Sequence, residues 1–191
     1  MTDILSIDEA QRRISNWHDG ECLDLSRLNL NELPHNLPVR LKYLDCNYNN
    51  ITRLPDNLPP NLIDIYCNHT LLKILPDTLP ATLMMLSCNN TQITFLPNTL
   101  PAGLREIYCN DTPLDSLPDI LPTSLASGLL CYNTNIPFRR HGESIGKYYI
   151  RVKGEERERA VRRLKIFKED LIEKTWNTYR VVDWCGVSFD W

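Results

Sequence analysis

A register of 21 residues recurs along most of this chain and constrains its fold more than any other feature. Cysteines mark the register, because Cys46, Cys67, Cys88 and Cys109 are each 21 positions apart and Cys131 follows after 22. Around each of the first four cysteines the same frame returns, with two apolar residues before it, an Asn or Thr after it, and then an apolar residue and a Leu-Pro pair. An earlier copy keeps this frame with leucine in the cysteine position: Leu25, Leu28, Leu30, Leu33 and Pro34. A unit this short cannot bury a core alone, so successive units must stack.

Repeats of about 20–29 residues with this apolar skeleton are leucine-rich repeats. They predict an α/β solenoid, a horseshoe with a parallel concave sheet and helical caps at both ends. In each copy the Leu-x-Cys or Ile-x-Cys segment is the short strand. Side chains alternate along a strand, so Leu44 and Cys46 should face the core while Tyr43, Asp45 and Asn47 face outwards.

The segments between the strands are rich in proline. Ten of the 13 prolines lie in five copies of Leu-Pro-x-x-Leu-Pro. Proline fixes φ and disfavours helix in the preceding residue, which predicts an extended, polyproline-like convex side. A polar residue occupies the turn after each strand, and its side chain should hydrogen-bond backbone groups there, which gives it a structural role. These residues are Asn49, Thr70, Thr91, Thr112 and Thr134.

Three segments are predicted: residues 1–20 as an N-terminal helical cap, 21–137 as the repeats, and 138–191 as a C-terminal helical cap or tail. Ser6 and Glu9 have the spacing of a capping box that opens a helix through about Trp17.

The C-terminal segment is predicted to contain a helix from Glu155 to Trp176. Its apolar stripe has helical spacing. This helix could cap the last repeat, or it could present a second contact surface through its basic residues. The stripe comprises Val161, Leu164, Phe167, Leu171 and Thr175.

Composition and spacing argue against several classes of site. Five of the seven cysteines share one repeat position, which fits stacking rather than a disulfide framework. Together with the absence of a secretory signal and of a long apolar run, this predicts an intracellular, reducing location without a membrane span. Neighbouring thiols in a column form no tetrahedral cage, so no metal site and no cofactor are predicted.

No catalytic residues are predicted either. The sequence lacks a glycine-rich phosphate loop and a paired nucleophile and base. Asp64 and Glu106 share a repeat position, but Met85 separates them. Residues 139–191 carry about four more basic than acidic residues. Glutamates interrupt these basic residues and no aromatic platform accompanies them, which disfavours nucleic acid as a partner.

The outward positions of the predicted strands are the candidate partner-binding surface. Tyrosine offers a large contact area at low entropy cost. The asparagine column could bind a partner's polar groups, or its members could pair with one another. The candidate residues are Tyr43, Asp45, Asn47, Asp64, Tyr66, Asn68, Met85, Ser87, Asn89, Glu106, Tyr108, Asn110 and Tyr132.

The repeat pattern, over about residues 21–137, resembles the short-repeat leucine-rich proteins that Gram-negative pathogens secrete as effectors. It is also similar to leucine-rich-repeat proteins of giant DNA viruses, which often carry an Asn- and Cys-rich strand such as Tyr66-Cys-Asn-His. Some bacterial relatives are ubiquitin ligases with a catalytic Cys-x-Asp motif. Here Cys185 precedes Gly186 and Val187, so that motif is absent.

These observations favour a non-catalytic scaffold that binds one or more proteins, as a viral or effector protein acting on host proteins. No small-molecule substrate is expected. The alternative is a structural component of a viral particle or larger assembly, held through its tail and convex edge. Its expected location is the host cytoplasm or the virion.

Overall fold

The computed structural model describes residues 2–125, 128–137 and 144–184. Six strands form a parallel sheet in which they lie side by side in chain order. Residues 21 apart are paired in adjacent strands, and the last pair is offset by 22. This confirms the predicted solenoid of leucine-rich repeats. The strands are β1 (Cys22–Asp24), β2 (Tyr43–Asp45), β3 (Asp64–Tyr66), β4 (Met85–Ser87), β5 (Glu106–Tyr108) and β6 (Gly128–Leu130).

The apolar frame of the repeat forms one continuous core. The central residue of every strand is buried, as is the cysteine that directly follows each of strands β2 to β6. The leucine of the first Leu-Pro pair in each motif closes the core at the far side of the coil, as Leu54 does in the second repeat. Leucines and thiols therefore point inwards, as the alternation predicted.

The polar residue in the turn after each of strands β2 to β5 is buried and bonded to backbone, and Thr134 after β6 is half-buried and bonded in the same way, which confirms their structural role. Asn49 Oδ1 accepts hydrogen bonds from the N–H groups of Leu28 and Leu30 at 3.1 and 3.0 Å. Its Nδ2 donates to the carbonyls of Leu25 and Cys46 at 2.9 and 3.0 Å. The threonines that replace it later each donate a hydrogen bond to the carbonyl three residues before them, and Thr134 also contacts the carbonyl of Ile136 at 3.4 Å.

Within the described residues, the segments that return between strands contain no helix. In each Leu-Pro-x-x-Leu-Pro motif, the carbonyl of the second proline accepts a hydrogen bond from the backbone N–H three residues later. The donors are Leu41, Leu62, Leu83, Leu104 and Leu125.

The N-terminal helix α1 (Thr2–Ser15) packs against the first repeat. Ala10 is buried in the core, and Ile14 and Trp17 pack against it. The predicted capping box is wrong, because the helix begins four residues before Ser6. Glu9 instead pairs with Arg12 and Arg13 at 2.7 and 2.9 Å.

The second helix, α2 (Ile145–Trp184), begins earlier than the predicted Glu155. The chain divides into two compact units, Met1–Val152 and Lys153–Trp191. In the first unit, Tyr148 and Val152 are buried in the core of the repeats, so the start of α2 supplies part of the predicted C-terminal cap. The predicted limits of the three segments remain predictions.

In the second unit, Val161 and Leu164 of the predicted apolar stripe are 64% and 68% exposed. The side chains of Phe167, Leu171 and Thr175 lie outside the described residues, and so does Cys185. Neither helix, over the part of the chain described, has an apolar stretch able to cross a membrane.

Candidate functional site

The outward side chains of the strands form what we term the open sheet face, which consists of two columns of residues. The first column contains the first residue of each strand and the second contains the third. Most members are half-buried, as expected where a side chain stands on a sheet with one side open. The first column is Cys22, Tyr43, Asp64, Met85, Glu106 and Gly128; the second is Asp24, Asp45, Tyr66, Ser87, Tyr108 and Leu130.

Ser87 differs from the other candidate residues on this face. It is only 6% exposed. Its hydroxyl donates to Asn68 Oδ1 at 2.8 Å and accepts from Asn89 Nδ2 at 3.3 Å. A short side chain held in this way supports its neighbours, so Ser87 offers little to a partner.

The carboxylates of the open sheet face lie close enough to influence one another. Burial raises the pKa of Asp64, and the charge of Glu106 adds to the increase although Met85 stands between them. Burial also raises the pKa of Asp45, and Asp24 contributes in the same direction. Tyr108 donates a 2.7 Å hydrogen bond to Glu106 Oε2, which raises the pKa of the Tyr108 hydroxyl.

The asparagine column forms a ladder beside the open sheet face. The side-chain oxygens of Asn47, Asn68 and Asn89 each accept a hydrogen bond from the backbone N–H of the next asparagine, at 2.6 to 2.8 Å. Asn110 ends the ladder by accepting from the N–H of Tyr132 at 2.8 Å. Pairing along the ladder, one of the two roles predicted for this column, therefore occupies the oxygens. The Nδ2 groups are the part of each side chain that could reach a partner.

Beside this ladder runs a further column that the sequence analysis missed. Its residues have a left-handed backbone, with φ between 54° and 57°. The backbone N–H of each of the first four residues donates to the carbonyl of an asparagine in the next repeat, and that of Asp111 donates to the carbonyl of Tyr132. Asn and Asp tolerate this conformation better than most residues. The column is Arg27, Tyr48, His69, Asn90, Asp111 and Asn133.

Three side chains of this column form an exposed stack. The Arg27 guanidinium carbon lies 4.1 Å from the centre of the Tyr48 ring. On its other side, Tyr48 stacks on His69 with ring centres 4.6 Å apart and planes 5° from parallel. With the asparagine ladder, Tyr48 and His69 line a polar groove of about 350 Å³. The repeat spacing of these residues in the sequence was the signal available for finding them.

The buried thiols form part of the core rather than a reactive site. Cys46 and Cys67 donate to backbone carbonyls at 3.2 Å. Burial raises the pKa of both thiols, and it raises the pKa of Cys88 to about 12. A thiol held protonated is a poor nucleophile and a poor metal ligand. In the described ranges, no group of three or more His, Cys, Asp or Glu residues is placed to hold a metal ion.

Comparison with known proteins gives structural matches only. No protein-family profile matches the sequence, and neither does any curated protein. Among solved structures, the leucine-rich effector protein YopM from Yersinia pestis matches with a TM-score of 0.52 and 26% identity, covering 60% of this chain and 36% of that protein. The fold and the predicted resemblance to bacterial leucine-rich-repeat effectors are thereby confirmed.

Two further structures align less closely. YopM from Yersinia enterocolitica WA-314 has a TM-score of 0.45 and 33% identity, over 49% of this chain and 20% of that one. A Shigella effector leucine-rich-repeat domain has a TM-score of 0.48 and 28% identity, over 70% and 69%. The chain thus spans about a fifth to a third of the length of the YopM structures. The predicted resemblance to viral proteins stays a prediction.

Proposed function

We propose that this chain is a non-catalytic leucine-rich-repeat scaffold that binds a protein partner through the open sheet face. The observation that carries the proposal is the set of large, half-buried side chains on this face, above all Tyr66 and Tyr108. Half-buried tyrosines are held in place by their surroundings and still present area to a partner, which is the character of interface anchors.

The likeness to YopM of Yersinia pestis supports this proposal, since that protein is an effector with the same repeat architecture. By this analogy, the chain would act on proteins inside a host cell, as a bacterial effector or a viral protein. The asparagine ladder and the Arg27–Tyr48–His69 stack extend the same surface beyond the strands.

The test is the double substitution Tyr66→Ala with Tyr108→Ala. We expect it to abolish retention of partner proteins by the immobilised chain, because two anchors are lost while the core is untouched. The melting temperature should be nearly unchanged. A matched control is Ile74→Ala with Phe95→Ala, which removes two large side chains that are 69% and 60% exposed outside the strands. If the tyrosine variant retains the same proteins as the parent chain, the open sheet face is the wrong surface.

A second function, as a structural component of a particle, is favoured by the exposed apolar side chains outside the sheet. Ile74 and Phe95 occupy equivalent positions of adjacent repeats. If the chain is held in a particle through these apolar side chains and its C-terminal segment, the control variant should fail to assemble. A chain truncated at Phe138 should fail as well. The scaffold function predicts that the control variant keeps its partners.

A further inference from the structure

The open sheet face carries more negative charge than its own cations neutralise. Asp24 is paired with Arg13 at 3.5 Å. Within the described part of the chain, no lysine or arginine forms an ion pair with Asp45, Asp64 or Glu106. Among those residues, three carboxylates on strands β2, β3 and β5 are therefore left without an ion pair.

The same three strands each carry one tyrosine. In β2 the tyrosine precedes the carboxylate, whereas in β3 and β5 it follows. Pairing places Tyr43 beside Asp64 and Asp45 beside Tyr66, which produces a checkerboard of rings and carboxylates across β2 and β3. Glu106 and Tyr108 repeat the combination on β5, with a hydrogen bond of 2.7 Å between them.

This arrangement is complementary to a guanidinium or ammonium group. A cation bound between a carboxylate and the neighbouring tyrosine can form an ion pair with the carboxylate and lie over the tyrosine ring at the same time. Arginine fits better than lysine, because its planar group forms bidentate bonds and stacks. An acidic protein segment or a nucleic acid would instead be repelled by the carboxylates of this face.

The partial burial of the carboxylates strengthens this complementarity. Burial is the largest cause of the raised pKa of Asp45 and Asp64, and neighbouring acids add to it. Burial raises the pKa of Tyr66 as well, and the charges of Asp64 and Asp45 add to the increase. An arriving cation would relieve the repulsion between these acids, as Arg27 already does in part at Asp45.

We propose that the open sheet face docks a basic, arginine-containing segment of a protein partner across β2 to β5. The inference rests on the function proposed above and specifies the chemistry of the partner. Four adjacent parallel strands span roughly 14 Å, which is the length of about four to five extended residues. Two or three basic side chains within about six residues would therefore reach the carboxylates.

The probe is a fluorescent peptide, Gly-Arg-Gly-Arg-Gly-Arg-Gly, and its binding to the full chain is followed by anisotropy. The test variant is Asp45→Asn with Asp64→Asn and Glu106→Gln, which keeps each side chain's shape and removes its charge. The matched control is Asp56→Asn with Asp77→Asn and Glu32→Gln, which removes the same charge from exposed positions outside the strands.

We expect the test variant to bind the peptide at least about tenfold more weakly than the parent chain, equivalent to about 1.4 kcal/mol, and the control to bind within about twofold. Binding should weaken as salt is added, and a peptide with glutamine for arginine should not bind. Equal binding by the test variant and the parent overturns the inference. So does an equal loss in the control, which would reflect net charge alone.

Two further results separate this inference from the proposed function. If proteins retained by the parent chain are lost with Tyr66→Ala and Tyr108→Ala but kept by the neutralised variant, the scaffold stands and the basic partner is wrong. Residues 139–191 are themselves basic, so the mass of the free chain is measured by light scattering. A dimer that the neutralised variant turns into monomers would identify a second copy as the occupant and overturn the inference.

Discussion

Single residues differ in what they contribute at the same position of the repeat. In the turn after the strand, Asn49 forms hydrogen bonds to four backbone groups at 2.9 to 3.1 Å, while Thr70 forms one at 2.9 Å. The asparagine therefore joins the first and second repeats, whereas the threonine closes a turn within its own repeat. Both are buried, so a lost hydrogen bond leaves backbone groups without water to replace it.

We expect Asn49→Ala to lower the free energy of unfolding by about 3 kcal/mol, because it leaves several buried backbone groups without partners. Thr70→Val should cost about 1 kcal/mol, since only one hydrogen bond is lost. Urea unfolding followed by circular dichroism measures both. Asn50→Ala, which removes an exposed side-chain hydrogen bond to Asn29, is the control and should cost less than about 0.5 kcal/mol. Similar costs for Asn49→Ala and Asn50→Ala would contradict the bridging role.

At the scale of elements, strand β6 deviates from the repeat. One extra residue precedes it, and Gly128 occupies the position held by larger side chains in the other strands. A Cβ atom at Gly128 would lie 2.1 Å from the carbonyl oxygen of Arg105 and 2.9 Å from the Cα of Glu106. The glycine therefore allows β6 to pair closely with β5 in spite of the altered spacing.

Gly128→Ala should consequently destabilise the chain by about 2 kcal/mol or more, because backbone atoms of β5 cannot move aside as a flexible side chain would. Gly103→Ala is the matched control, since nothing lies within 4 Å of its added Cβ. Urea unfolding provides the stability, and hydrogen exchange at Leu129 and Leu130 reports pairing of β6. Unchanged exchange and stability in Gly128→Ala would mean that β6 pairs less closely than described.

At the scale of the whole molecule, stability depends on a spine of protonated thiols that crosses the repeats. Burial raises the pKa of Cys46, Cys67 and Cys88, from an ordinary value of 9.0 to about 12 for the last. The folded state therefore holds these protons more tightly than the unfolded state. Their contribution is complete below about pH 9 and is lost as the pH rises towards the folded values.

Between pH 8 and 10 each of the three thiols should lower the free energy of unfolding by about 1 kcal/mol, because its pKa is higher in the folded state than in the unfolded state. Urea titrations at several pH values measure the slope. Because the pKa of Cys109 is raised as well, Cys88→Ala should reduce that slope by the share of one thiol among several, whatever its effect on stability at pH 7. A slope that is the same in the parent chain and in Cys88→Ala would show that alkaline destabilisation has another source.

The repeated positions were predictable because each is dictated by local chemistry. The alternation of side chains along the strand predicted that Leu44 is buried and that Tyr43 faces outwards. The polar residue in the turn predicted a side chain hydrogen-bonded to backbone at Asn49. The left-handed residues after the strands, including Arg27 and Tyr48, were missed because their side chains vary from repeat to repeat. Their common backbone conformation is visible only in three dimensions.

Stacking of the repeats follows from the amino-acid sequence, because a unit of 21 residues with one apolar frame can bury that frame only against its neighbours. The starts of α1 and α2, the orientation of the asparagine amides and the burial of Ser87 became known from the three-dimensional structure. The hydrogen bonds of the asparagine ladder, and that of Ser87 with Asn68, join groups 19 to 22 residues apart in the chain, which meet only once the repeats are stacked. Spacing fixes the positions of such groups, whereas the contacts between them fix which hydrogen bonds and surfaces remain for a partner.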